Sequence, residues 1–492
     1  MLALVLCRWR LTFMTNKELK AFRDSISEYL EENKHEMIKT LARLVEIESV
    51  LGKKDLQSNK PFGEGPAKAL EVAEETLHDF GFISQNHENY MVTFDFGGEQ
   101  SDKPELGIIA HLDVVPAGSG WIYEPFKLSV NEDEGKLYGR GTIDDKGPAV
   151  AVLYAVKAMK DLGIKLNKKI RVMLGASEET GMDDLKYYSN KVGLPDKMLT
   201  PDSAFPVVNV EKGVSHIIMV GSYNNKIDGA VIESVSGGTV INAVPDRAYA
   251  VVKGIEKSVI DQKTSEMPMN VRFIAEENDG KIKITSIGKS AHGSLPELGE
   301  NAITALLSLL AELPFDNGGA YDLVCELTKI FPYGEYHGEA LDLFCEDNVS
   351  GKITEVYSLI DIEGGKYKGG MDIRFPVCTS LKEIYSKLDE HLGKLGHTYV
   401  DDDAMEPHYV DENSDFIQTL LKSYTELTGL KGECLAEGGA TYLHNTKMGV
   451  GFGAEFPGEN NNMHGADEHI SISTFMKIAK IYADVIFKLC SE

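Results

Sequence analysis

Residues 106–121 read LGIIAHLDVVPAGSGW and residues 170–176 read IRVMLGA. LGIIAHL and IRVMLGA are nearly continuous apolar runs of strand length, the pattern of strands buried on both faces of a parallel sheet. Between them lies KGPAVAVLYAVKAMKDLG (146–163), with Pro148 near the start of a helix and Gly163 just past its end. Strand, helix and strand in this order predict a βαβ unit, and MVTFDF (91–96) adds a further strand. The expected class is α/β, with a mixed, largely parallel sheet flanked by helices.

N-terminal to this unit, SEYLEENKHEMIKTLARLVEI (27–47) repeats its apolar residues at helical spacing, predicting a long helix from Asn16 to about Glu46. Past about residue 210 the texture changes to alternating strands: HIIMVG, GAVIESVSGG, AYAVVKG and KIKITSIGKS, followed by a helix in GENAITALLSLLAEL. A second set follows in ITEVYSLIDIEGG, YKGGMDIRFPV and SLKEIYSKLDEHLGKLG. Two such sets in tandem predict an inserted α+β domain built of a weak repeat, though no sharp sequence period marks it. The α/β texture resumes near residue 406, with helices in DFIQTLLKSYTELTG and ISTFMKIAKIYADVIFKL around the strand KMGVGFG. The expected organisation is a first domain in two parts, 14–210 and 406–492, interrupted by an insert at 211–405. Residues 1–13, MLALVLCRWRLTF, are read as a start-site artefact or a disordered extension, because Met14 opens a more ordinary start.

A chain of 492 residues exceeds what one core usually serves, which agrees with two domains. Its net charge of −27, from 77 acidic and 50 basic residues, would repel phosphate backbones and anionic lipid. Nucleic acid and membrane are therefore not expected partners. The six cysteines show no CxxC pairing, which suits thiols left as core filler in a reducing compartment, so a cytoplasmic protein is expected.

Five short stretches at the ends of predicted strands could carry chemistry: AHLDVV (His111, Asp113), GRGTIDDKG (Asp144, Asp145), GASEETG (Glu178, Glu179), LTPDSAFP (Asp202) and NNNMHGADEH (His464, His469). Open α/β sheets place their sites there. Each has a plain structural reading alone. A lone histidine after a strand is usually a hydrogen-bonded loop residue, Glu178 and Glu179 could complement a helix dipole, Asp144 and Asp145 could cap a helix, and Asp202 could sit in a turn. Their conjunction is more informative. Imidazoles and carboxylates are the ligand set of Zn²⁺ or Mn²⁺, and a buried carboxylate cluster without cations would be strongly self-repulsive. Two ions would balance it better than one.

In order as well as type, HLDVVPAG, YGRGTIDDKGP, SEETG, and FPGE followed by MHGADE resemble the aminoacylase, carnosinase and succinyl-desuccinylase group of dinuclear metallopeptidases, most closely the dipeptidase V branch. The resemblance spans about residues 14–490. It implies a zinc-peptidase-like catalytic domain with an inserted lid of two ferredoxin-like halves. Carried over residue by residue, it makes His111 and Asp202 ligands of one ion, Glu179 and His464 ligands of the other, and Asp144 the bridge. Asp113 would orient His111 through its second ring nitrogen. Glu178 would be the general base that takes a proton from a water between the ions and hands it to the leaving amine.

In the insert, the resemblance implies that Asn242 (in GGTVINAVPD) and His292 (in GKSAHGSLPELGENA) reach over the metals to stabilise the oxyanion. Arg374, in MDIRFP, would grip the substrate carboxylate. Gly438 and Gly439, in GECLAEGGATY, would line the substrate pocket at a close-approach turn. Read without the resemblance, Asn242 is a turn residue before Pro245, His292 a helix-start cap and Arg374 a surface strand charge. The implied cofactors are two divalent ions, zinc first, with manganese or cobalt as alternatives. The implied activity is hydrolysis of dipeptides and short peptides with a free C-terminal carboxylate, and the doubled insert favours a monomer over a dimer. An N-acyl amino-acid deacylase or desuccinylase on the same scaffold, and a non-catalytic metal-dependent binding protein, are the alternatives.

Overall fold

A computed structural model describes residues 16–98, 103–225, 228–394, 396–401 and 403–491. The expectation for residues 1–13 lies outside the described residues. The chain divides into two compact units. One gathers the chain up to Asn209 together with Val410–Leu435 and Thr441 onward, and the other comprises Val210–Tyr409 with Ala436–Ala440.

The core of the first unit is four parallel strands in the order Lys169–Gly175, Pro104–His111, Lys197–Thr200, Met448–Gly451. Met91–Gly97 and Ser84–His87 extend one side antiparallel, and Val207–Glu211 joins the other side antiparallel. The continuous apolar runs have a direct structural cause. Ile108 and Val172 pack into the large cluster with the helices Asn16–Val45, Lys146–Asp161 and Ile472–Cys490, while Ile109 and Met173 face the opposite side with Leu185 and Tyr188. Side chains alternate along a strand, so a strand covered on both faces has no polar position to show.

The second unit holds one eight-stranded antiparallel sheet with the helices Ala302–Ala311, Ala320–Ile330 and Leu381–Lys394 packed on it. Its two halves are joined where Val231–Gly237 pairs with Thr354–Glu363. The sequence reading grouped HIIMVG with the first strand set. In the structure its strand, Gly213–Ser222, pairs with Lys366–Phe375 of the second set and with Thr398–Asp401, which follows that set. Strand partners far apart in sequence leave no local signal, because alternation marks a strand's faces and not its neighbours.

The five described cysteines are free thiols, and only Cys490 is buried. Cys490 is core filler, Cys434 and Cys345 are partly buried against the cores of the two units, and Cys378 is exposed. Among the described residues no helix is long and apolar enough to cross a membrane.

Candidate metal centre

The parallel strands of the first unit deliver the candidate residues to one edge. His111 is the last residue of Pro104–His111, and Asp113 follows two residues later. Glu178 and Glu179 open a short turn of 3₁₀ helix after Lys169–Gly175, and Asp202 follows Lys197–Thr200. Asp144 and Asp145 precede the helix Lys146–Asp161. His464 lies in the segment between Met448–Gly451 and the strand His469–Ser471, with its own backbone in the left-handed region (φ 58°).

These side chains converge as two groups, His111 with Asp144 and Asp202, and Asp144 with Glu179 and His464. Within each group the donor atoms lie within 4.8 Å of one another. Asp144 belongs to both and gives one oxygen to each, with Oδ1 2.9 Å from His111 Nε2 and Oδ2 2.8 Å from His464 Nε2. His111 Nε2 is 3.5 Å from Asp202 Oδ2, and His464 Nε2 is 3.2 Å from Glu179 Oε1. A tetrahedral ion about 2.0–2.1 Å from each donor would space them by roughly 3.3 Å, so both groups fit a divalent cation in spacing as well as chemistry.

The second ring nitrogen of His111 sets its tautomer. Nδ1 donates to the backbone carbonyl of Asp113 at 2.9 Å, while the nearer carboxylate oxygen of Asp113 is 3.5 Å away. The Asp113 carboxylate has a further use: Oδ1 accepts the Glu178 backbone N–H and Oδ2 that of Glu179, both at 3.1 Å. One aspartate thus supports His111 and fixes the turn that carries both glutamates. Asp145 departs from the capping reading. It occupies the N-cap position of the helix but makes no side-chain cap, and its Oδ2 instead accepts the His111 backbone N–H at 3.1 Å.

Charge within the site is strongly polarised. Burial and the charge of Asp202 push Glu178 well above the usual carboxylate range, and burial with the charge of Asp144 raises Glu179. Burial acts the same way on Asp144, but hydrogen bonds from His111 and His464 outweigh it and hold the group below the usual range. Facing Asp144 and Glu179, His464 is raised to about 11. Burial opposes protonation of His111, yet Asp113 and Asp144 outweigh it and place that group well above its ordinary value. Metal-free, His464 is therefore protonated at neutral pH, and it must surrender its Nε2 proton to serve as a ligand. Apparent metal affinity should accordingly rise with pH, through the neutral range and toward the His464 value of about 11. Titration calorimetry at pH 7 in buffers of different ionisation enthalpy should detect about one proton or more released as the His464 group loads. No dependence on the buffer would refute this.

The sequence reading passed over several supporting residues. Asp184 is buried, raised to about 6 by its burial, and Oδ2 accepts the backbone N–H groups of Ala176 and Ser177 together with the Tyr442 hydroxyl. Lys146, pushed down to about 7 by burial, donates to the carbonyls of Leu44 (2.9 Å) and Ile47 (2.8 Å). Arg140 and Glu468 form a buried ion pair at 2.6 Å. Arg140 and Lys146 stand inside GRGTIDDKG and Glu468 inside MHGADE, so motif membership was the one available signal. His469, by contrast, is a buried strand residue whose Nδ1 donates to the Asp467 carbonyl at 2.9 Å.

The candidate residues of the insert meet within the second unit. The strands Ala243–Val244 and Ala291–His292 pair, and the Gly293 N–H donates to the Asn242 carbonyl at 2.8 Å, which sets Asn242 and His292, both exposed, side by side. His292 stands in a strand pair and is not a helix-start cap. Arg374 is 5% exposed, which overturns the surface-charge reading. Its Nε donates to Asp372 Oδ1 at 2.8 Å, Nη1 to the Gly438 carbonyl at 3.1 Å, and Nη2 to His216 Nε2 at 3.2 Å. Close approach is real at Gly438, where an added Cβ would lie 2.3 Å from that of Ser294. It does not occur at Gly439, where a Cβ would meet nothing within 4 Å.

The sequence model of peptidase family M20/M25/M40 matches residues 107–488. The chain belongs to this family. It is 31% identical over 474 residues to a beta-Ala-Xaa dipeptidase of Lactobacillus delbrueckii subsp. lactis, covering 95% of this M20 chain and 99% of that one. Among solved structures, human carnosine dipeptidase 1 aligns with a TM-score of 0.58 at 14% identity, over 95% of this chain and 98% of that one. Aminoacylhistidine dipeptidase from Vibrio alginolyticus aligns with a TM-score of 0.55 at 14% identity, over 92% and 96%. At such identities the structural likeness speaks for the fold, a mixed α/β catalytic domain with an inserted second domain.

Proposed function

We propose that this M20 peptidase is a dipeptidase, hydrolysing dipeptides and short peptides that carry a free C-terminal carboxylate. The observation that carries the reading is the pair of histidine and carboxylate groups sharing Asp144, with Glu178 beside them and outside both. Family membership and the full-length match to a beta-Ala-Xaa dipeptidase support the substrate class.

His111 and Asp202 would hold one ion, Glu179 and His464 the other, and Asp144 both. When bound, such a pair of divalent ions supplies Lewis acidity that polarises a carbonyl and acidifies water. Zinc is the expected ion, with manganese or cobalt accepted by the same donors. Glu178 holds and moves the proton: its carboxylate takes one from the attacking water and delivers it to the nitrogen of the leaving amine. Asp113 orients, through the two backbone N–H groups that its carboxylate accepts. In the second unit, Arg374 is assigned the substrate carboxylate, His292 and Asn242 the oxyanion, and the backbone of Gly438 and Gly439 the pocket wall. The protein is assigned to the cytoplasm and to a monomeric state.

The test is elemental analysis of freshly purified protein, beside hydrolysis of a panel of dipeptides, N-acetyl and N-succinyl amino acids, after chelation and after return of zinc or manganese. Close to two ions per chain with metal-restored dipeptide cleavage is the expected result. Cleavage of the acyl compounds alone would replace the dipeptidase with a deacylase, and bound metal without cleavage would leave a binding protein.

A further inference from the structure

The five candidate ligands are not equally held. His111, Asp144, Glu179 and Asp202 have side chains exposed by 0–14%, whereas His464 is 53% exposed and sits in a segment without regular structure. Its contacts to Asp144 and Glu179 hold only the ring, so the backbone that carries it needs a support of its own.

The buried Arg140–Glu468 pair is placed to do so. Glu468 Oε2 accepts from Arg140 Nη1 at 2.6 Å, while Oε1 accepts the backbone N–H of Ile143 at 3.0 Å and of Asp144 at 3.4 Å. From the other side, Arg140 Nη2 points at the carbonyls of His464 (3.4 Å), Ala117 (3.4 Å) and Pro116 (3.3 Å). Its guanidinium lies over the Trp121 ring, 5.2 Å from the centroid, and Trp121 Nε1 donates to the Ala117 carbonyl at 2.7 Å. One ion pair therefore grips the backbone of the shared aspartate at one end and the backbone of the exposed histidine at the other. The guanidinium fork turns one nitrogen, Nη1, to the carboxylate and another, Nη2, to the carbonyls, whereas an ammonium has a single nitrogen for both tasks.

We infer that Arg140 and Glu468 are positioning residues that set the distance between Asp144 and His464, and so tune the affinity of the His464 subsite more strongly than that of the His111 subsite, which depends on the pair through Asp144 alone. The inference rests on the dinuclear reading above. It makes the two binding steps unequally sensitive: outer groups that orient ligands are commonly worth about 10- to 100-fold in metal affinity, and here that effect falls mainly on one ion.

The test is calorimetric titration of metal-free wild type, Arg140→Lys and Glu468→Gln with Zn²⁺ and Mn²⁺, with near-ultraviolet circular dichroism reporting the fold. Arg140→Lys keeps the charge opposite Glu468 and loses the fork, and Glu468→Gln keeps an oxygen for the backbone and loses the charge. Wild type should take up two ions. In each variant one step should weaken about 10- to 100-fold and the other by clearly less. Added to His464→Ala, Arg140→Lys should weaken the remaining site by less than it weakens the more affected step in the otherwise wild-type protein. Wild type binding fewer than two ions would overturn the dinuclear reading and this inference with it. Two ions in wild type with both steps unchanged in the variants would overturn the inference alone. Equal weakening of both steps, an equally large loss in the His464→Ala background, or loss of both ions with or without the fold would also overturn it.

Discussion

Glu178→Ala should keep two ions per chain and lose hydrolysis, with kcat/KM lower by about 10³-fold or more and substrate affinity little changed. Glu178 stands outside both donor groups, so its removal takes no ligand away. The turn that carries it survives, because Asp113 holds that turn through the backbone N–H groups of Glu178 and Glu179, which alanine retains. What disappears is one carboxylate beside Asp202, and with it the proton relay to the leaving amine, a role typically worth about 10²–10⁴-fold. Glu178→Gln, similar in shape but unable to take the proton, should fall as far as alanine. Elemental analysis beside steady-state kinetics decides the matter. Loss of metal, or a rate within about tenfold of wild type, would remove Glu178 from the role of base.

Asp144→Ala should do the opposite, emptying the site before any chemistry is reached. Both donor groups include Asp144, one through each oxygen, so its loss leaves His111 with Asp202 and His464 with Glu179 as bare pairs. Bound metal should fall below about one ion per chain after dialysis, and hydrolysis should not return at micromolar zinc. Asp202→Ala, which strips one group only, should retain close to one ion. The metal-free Asp144→Ala protein should also be less stable than metal-free wild type, by roughly 3–5 kcal/mol, the usual cost of deleting one partner of a buried charged pair. His111, with a side chain 0% exposed, is the partner left behind. Chemical denaturation of both metal-free proteins measures this difference. If Asp144→Ala keeps two ions, the shared-ligand reading is wrong.

Much of the site was visible before any coordinates, since histidines and carboxylates falling where apolar runs end are a local pattern. His111 closes a strand, Asp202 follows one, and Glu178 and Glu179 follow another. The supporting contacts were hidden because they join distant segments. Arg140 and Glu468 are 328 residues apart, and Asp184 and Tyr442 are 258 apart. Nothing local says that Asp145, at an N-cap position, leaves the cap unmade and turns its carboxylate to the His111 backbone.

Apolar periodicity, helix punctuation and the residue types at strand ends were enough to define by sequence alone an α/β unit, an interrupting α+β segment, and a set of imidazoles and carboxylates suited to divalent metal. These are properties of short windows, where side-chain alternation and backbone preferences act directly. Only the tertiary structure decided which strands are neighbours, which moved Gly213–Ser222 beside Lys366–Phe375. It also decided that Asp144 gives one oxygen to each histidine, and that Asp113 spends its carboxylate on the glutamate turn. Such choices depend on distances between atoms hundreds of residues apart, set when buried polar groups must find partners inside a packed core.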